Sequence, residues 1–105
     1  MALIDRGDLF DAELPDAGAH PVVVVSRRVS IEHRSTVTVV LVTSVIRGHP
    51  AEVALGVEFG LDHDSVVNCD EIYTLPKARL TRRRGSVGVE HMHAIEGAIR
   101  LSLDV

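Results

Sequence analysis

His20-Pro21-Val22-Val23-Val24-Val25-Ser26, followed shortly by Thr36-Val37-Thr38-Val39-Val40-Leu41-Val42-Thr43-Ser44, decides the fold of this chain. Branching at Cβ stiffens the side chain and suits it to a pleated surface, so valine at this density calls for strands. Neither run alternates apolar with polar residues over its middle. Both place their polar groups at the ends, the pattern of strands buried in a small all-β core with reactive groups at its rim.

The flanking segments extend that reading. Residues 7–13 alternate imperfectly, with Leu9 and Ala12 among acids, and predict a first, partly exposed strand. Pro15 to Ala19 is a loop, because proline fixes φ and glycine permits positive φ. Arg27 to Ser35 is polar enough for a solvent-facing connection, and Arg47-Gly48-His49-Pro50 forces a turn. Glu52 to Leu55 reads as a short strand, Gly56 to Asp64 as a loop, and Ser65 to Cys69 as a further apolar strand that continues over Ile72 to Thr74 after a bulge. Pro76 to Leu80 suits one helical turn, and Arg82-Arg83-Arg84-Gly85 leads into a short strand around Val87. From Gly88 onward, Met92, Ile95, Ile99 and Leu103 recur at spacings of three and four, which makes a terminal helix with one apolar stripe to pack on the sheet.

Composition bounds what such a chain can be. At 105 residues it is one domain, spanning 1–105, with room for a single modest core. Phe10, Phe59 and Tyr73 are the only aromatics, so aliphatic side chains must fill that core, as they do in small barrels. The lone Cys69 can form no internal disulfide and reads as a buried small hydrophobe in a reducing compartment. No run approaches the roughly 18 apolar residues of a membrane span, and the start lacks a signal-peptide pattern, so a cytoplasmic protein without a membrane is expected. The net charge of −4 argues against bulk attraction to a polyanion. Its distribution is uneven, however. Five acids accompany one base in the first twenty residues, whereas nine of the eleven bases fall between Arg27 and Arg84, leaving scope for a local basic surface.

Arg6-Gly7-Asp8, the valine strand after Pro21, Thr43-Ser44, Asp64-Ser65-Val66-Val67 and Thr74-Leu75-Pro76-Lys77-Ala78-Arg79-Leu80 occur here in that order. In order and spacing they resemble the MazF/PemK family of toxin endoribonucleases over nearly the whole chain. That family shows an RGD or RGE start, an Arg-Pro-Val-Leu-Val-Val-Ser strand, a Thr-Ser strand end, an Asp-Ser-Val-Val strand and a Thr-x-x-Lys-x-x-Leu turn. The resemblance implies a mainly β fold, a small SH3-like β-barrel with a C-terminal helix. It also implies a homodimer and a cognate antitoxin as partner. The implied activity is metal-independent, cofactor-free cleavage of single-stranded RNA at specific sequences, leaving 2′,3′-cyclic phosphate and 5′-hydroxyl ends. One position departs from the pattern: His20 stands where the family has arginine before the proline.

Cleaving RNA this way requires a proton to leave the 2′-hydroxyl, charge on the phosphorane to be stabilised, and a proton to reach the leaving 5′-oxygen. The resemblance assigns these tasks to His20 and Thr43. Histidine is a better proton shuttle near neutral pH than arginine but a poorer permanent cation, so positive charge would have to come from Arg27, Arg28 or Arg47. Thr43 and Ser44 offer hydroxyls to a phosphate oxygen. Asp70 and Glu71 sit where the family lines its RNA groove, and carboxylates accept hydrogen bonds from exocyclic amines of unpaired bases. Arg47, Arg79 and the run Arg82 to Arg84 are candidate phosphate contacts. Without the resemblance, His20 is as readily an ordinary strand end, and Thr43 and Ser44 read as strand-end residues satisfying a turn. Asp70 and Glu71 then read nearly as well as a solvated acidic turn, and the arginines read as a wet charged face.

Three other features carry less. Arg6-Gly7-Asp8 reads as the opening of the first strand rather than an integrin-type tripeptide, and Asp62-His63-Asp64 as a polar loop. His91 and His93 stand about 200° apart around a helix and cannot share a metal. The missing arginine keeps a second reading open: a non-catalytic or attenuated member of the scaffold that binds an antitoxin, or a protein target such as gyrase.

Overall fold

The computed structural model describes residues 3–105. Six strands form one antiparallel sheet: β1 (Asp8–Leu14), β2 (Gly18–Val24), β3 (Thr36–Thr43), β4 (Glu52–Leu55), β5 (Ser65–Pro76) and β6 (Leu80–Ser86). Their order across the sheet is β4-β5-β3-β2-β1-β6. A short helix, α1 (Arg28–His33), joins β2 to β3, and a longer one, α2 (Gly88–Leu103), closes the chain. Single turns of 3-10 helix occupy Val57–Phe59 and Lys77–Arg79.

The valine runs lack alternation because they are buried on both faces of the sheet. Val23, Val40 and Val42 join Leu9, Leu55, Val67 and Cys69 beneath Met92, Ile95 and Ala98 of α2. Val22, Val24, Val37 and Val39 face the other way, against Phe10, Leu14, Leu75 and Ile31 of α1. The curled sheet thus has two apolar cores, one capped by the terminal helix and one folded into its own concavity.

Strand β5 serves both. Val40 pairs with Ile72 and Leu41 with Asn68, so Cys69, Asp70 and Glu71 have no partner on β3 and form a bulge in the longest strand. The expected bulge lies here, but Asp70 and Glu71 belong to it rather than to a turn after the strand.

Five local expectations change. The stretch from Arg27 to Ser35 contains a helix, anchored by Ile31 alone, with Lys77 Nζ donating to the Ile31 carbonyl. The arginine run is itself β6, and Val87 is the buried residue that opens α2. Strand β1 is largely buried, not partly exposed, because it lies between β2 and β6. Strand β2 begins at Gly18, two residues into the expected loop. On α2 the stripe holds at Met92 and Ile95, while Leu103 is exposed. Among the described residues no helix is long and apolar enough to cross a membrane.

Candidate active site between two strand ends

His20 lies near the start of β2, where it pairs with Ala12 of β1; Thr43 ends β3, where it pairs with Val66 of β5. Between β2 and β3 the ladder runs from Val24 opposite Val39 to Val22 opposite Leu41 and stops there. Continued two residues further, that register sets His20 opposite Thr43. The parity also agrees. Val22 and Leu41 both belong to the concave core, and residues two further along each strand point to the same face. Imidazole and hydroxyl therefore stand at adjacent strand ends, each backbone held by its outer neighbour, with no rung between them.

Both side chains have chemical capacity to spare. His20 is half-buried. The Thr43 hydroxyl accepts a hydrogen bond from the Val45 N–H at 3.1 Å, a common strand-end turn, and that leaves its own hydrogen to donate. A cavity of about 340 Å³ adjoins His20 and is lined also by Asp11, Ala19, Pro21, Thr81 and Arg84. Arg84 is thus the guanidinium that shares His20's surroundings. It is committed elsewhere: Nε donates to Asp11 Oδ1 at 2.7 Å and Nη1 to the Gly60 carbonyl at 2.5 Å.

The arginines expected to supply charge are placed differently. Arg27 and Arg28 lie beyond the opposite end of β2 from His20, where Arg27 bonds Ser30 and Arg28 faces Asp5 at 3.6 Å. At roughly 3.3 Å per strand residue, that end of β2, Val24, is about 13 Å along the strand from His20, and both arginines lie past it. Arg47 and Ser44 lie in the exposed loop after β3, on Thr43's side. Arg79, exposed in the 3-10 turn before β6, makes no ion pair among the described residues. Arg83 is bound at 3.0 Å to the buried Asp8, whose hydrogen bond holds the guanidinium above its ordinary pKa. Cross-strand pairing thus engages two of the three arginines in the run.

The acidic pair divides. Asp70 turns toward α2, accepting from Ser102 Oγ at 2.5 Å, with His49 Nδ1 at 3.9 Å. Glu71 accepts from the Tyr73 hydroxyl at 3.3 Å, and Tyr73 packs against the concave core that ends in His20 and Thr43. Glu71 is thus exposed beside Tyr73, whereas Asp70 is engaged with α2. Asp62, His63 and Asp64 do not converge as a metal site, nor does any other group of three or more such residues among the described ones.

Glu52 went unread in the sequence as anything but a strand residue. Its side chain is only 4% exposed, its carboxylate accepts from the backbone N–H groups of Arg47 and Gly48, and His49 Nε2 lies 3.4 Å away. Burial pulls the carboxyl's pKa up. The N–H groups of Arg47, Gly48 and His49, with the charge of His49, outweigh it and leave the group below its ordinary value. No spacing or motif marks a glutamate that folds back onto the loop before it.

Comparison with known proteins agrees over nearly the full chain. The family described as PemK-like, MazF-like toxin of type II toxin-antitoxin system matches residues 5–103. Endoribonuclease MazF3 of Mycobacterium tuberculosis is 34% identical over 87 residues, covering 83% of this chain and 84% of its own. The solved Mycobacterium tuberculosis toxin MazF-mt6 superposes with a TM-score of 0.86 at 33% identity, over 93% of this chain and 97% of its own. An endoribonuclease solved in complex with its cognate antitoxin, from a mycobacterial species, gives 0.87 at 31% identity, over 98% and 97%.

Proposed function

This chain belongs to the PemK-like, MazF-like family of type II toxin–antitoxin toxins, and on that premise we propose that it cleaves single-stranded RNA with His20 and Thr43 as its working pair. It is an endoribonuclease toxin, as its relatives are named. Its partners are RNA and a cognate antitoxin, the latter as in the mycobacterial endoribonuclease complex. We place its action in the cytoplasm, where a free, buried thiol such as Cys69 persists.

The reaction needs no metal in this reading. The substrate's 2′-oxygen attacks phosphorus, the bond from phosphorus to the 5′-oxygen breaks, and the products carry a 2′,3′-cyclic phosphate and a 5′-hydroxyl. His20 moves the proton, as imidazole does for attacking or leaving oxygens. Thr43 donates its hydroxyl hydrogen to a non-bridging phosphate oxygen as charge grows there. Ser44, Arg47 and Arg79 are proposed to hold flanking phosphates, and Glu71 to accept from an unpaired base. Asp70, turned to Ser102 and His49, is the weaker of the two acidic candidates.

One observation carries the assignment: the β2–β3 register, extended, brings two residues 23 positions apart in sequence onto one face at adjacent strand ends. Incubating the purified chain with mixed-sequence RNA in EDTA tests it. Fragments that accept a kinase label at their 5′ ends without prior phosphatase treatment are expected. Intact RNA, together with antitoxin binding or arrested DNA replication, would favour the non-catalytic reading that the missing arginine leaves available.

A further inference from the structure

We propose that Glu52 is a positioning residue for RNA cleavage, folding the loop between β3 and β4 so that Thr43 and Arg47 face the phosphodiester together. This rests on the assignment of Thr43 given above.

Ala51, buried just before β4, is the loop's one apolar anchor, and the stretch nearer Thr43 has none. From Ser44 to Gly48 every residue is exposed, with Val45 at 58% and Ile46 at 55% exposure. Its shape must then come from hydrogen bonds, and two side chains supply them. At one end Thr43 Oγ1 accepts from the Val45 N–H at 3.1 Å. At the other, Glu52 accepts from Arg47 N at 3.2 and 3.1 Å and from Gly48 N at 2.7 Å. The Glu52 N–H returns to the His49 carbonyl at 3.1 Å, closing the turn on itself. Gly48 has a φ of +79°, the left-handed conformation that lets two successive N–H groups converge on one carboxylate.

The carboxylate is itself fixed. It is nearly fully buried at the start of β4, opposite Asn68 of β5, and His49 lies between it and Asp70, which Ser102 of α2 anchors. A chain of polar contacts therefore ties the loop after Thr43 to the terminal helix. The Thr43 hydroxyl belongs to the same hydrogen-bonded loop, so freeing the Arg47 and Gly48 amides loosens the backbone that aims it. Misplacement of a catalytic group by about 1 Å can cost on the order of 100-fold in rate.

The test compares wild type, Glu52→Ala and Glu52→Gln in the full chain. It reads kcat and KM on one RNA, the thermal midpoint, and amide exchange at Arg47 and Gly48. Glu52→Ala is expected to lower kcat/KM about 10- to 100-fold, mainly through kcat, and to speed exchange at both amides. Glu52→Gln, whose amide oxygen still accepts, should recover part of both losses and keeps the test valid if the alanine variant folds poorly. Alanine cleavage equal to wild type would overturn the proposal, as would loss of activity that only tracks a fallen midpoint with exchange unchanged. A wild-type chain that leaves RNA intact would instead remove the assignment of Thr43, and with it any catalytic role for Glu52. Exchange would then show separately whether the carboxylate still orders the loop.

Discussion

A histidine at the head of β2, in place of an arginine, exchanges a permanent cation for a group that can both give and take a proton. The surroundings of His20 do not restore the lost charge in full, since Arg84 beside it is already matched by Asp11. On the proposed assignment, chemistry at this site leans on proton transfer and on the Thr43 hydroxyl more than on charge. Cys69 shows the opposite use of a reactive side chain. Burial, helped by the charge of Asp70, pushes its thiol up to about 11 from an ordinary value of 9.0. The reactive thiolate is thus suppressed in the folded chain, and alkylation at pH 8 should proceed only as fast as the chain opens. The same shift gives a pH dependence. The folded state prefers the neutral thiol, so its contribution to stability is intact below about 9 and is lost as pH rises toward about 11. Thermal midpoints measured across that range, with Cys69→Ala showing a shallower fall than wild type, would check it.

Among the elements, those with a periodic or saturated apolar pattern could be read from sequence, and those built on partnership could not. Strands β2 and β3 were legible because valines buried on both faces leave an unbroken run. Helix α2 was legible because Met92 and Ile95 sit three apart on one stripe. Ile95, fully buried against Cys69 and Val67, is the helix's main anchor. Ile95→Ala should cost about 2–5 kcal/mol, measured by denaturant unfolding, because the helix cannot close over the space left. A loss under about 1 kcal/mol would mean the helix is held elsewhere. Helix α1 is not legible because its two apolar residues, Val29 and Ile31, stand two apart and supply no helical period, and only Ile31 is buried. Strand β6 was missed because its arginines look like a solvated run until Asp8 and Asp11 of β1 are set beside them. The working pair owed its legibility to the family resemblance; the residues alone were as consistent with two ordinary strand ends. Glu52 was beyond sequence reading, since its role depends on a loop folding back over it.

For the whole molecule, the open sheet leaves β4 and β6 as edges and an apolar surface at the end of α2, where Leu101 and Leu103 are exposed. A groove of about 530 Å³ beside it includes Val25, Ile72 and Ile99. We propose that a second copy covers this surface, consistent with the homodimer implied by the resemblance, and that the assembly offers RNA a longer groove than one chain can. Light scattering should give twice the 11.4 kDa chain mass, and Leu101→Glu with Leu103→Glu should shift it to a single chain. Monomer mass for the unaltered chain at micromolar concentration would exclude the assembly. The His20–Thr43 pair is tested most directly by the single-turnover rate on one RNA in EDTA, measured for wild type, His20→Ala and His20→Arg at equal folded fraction. His20→Ala should fall about 10²- to 10⁴-fold, and arginine, which holds its proton, should not restore the rate. Cleavage by His20→Ala at the wild-type rate, or by His20→Arg above it, would contradict a proton-transfer role for the imidazole.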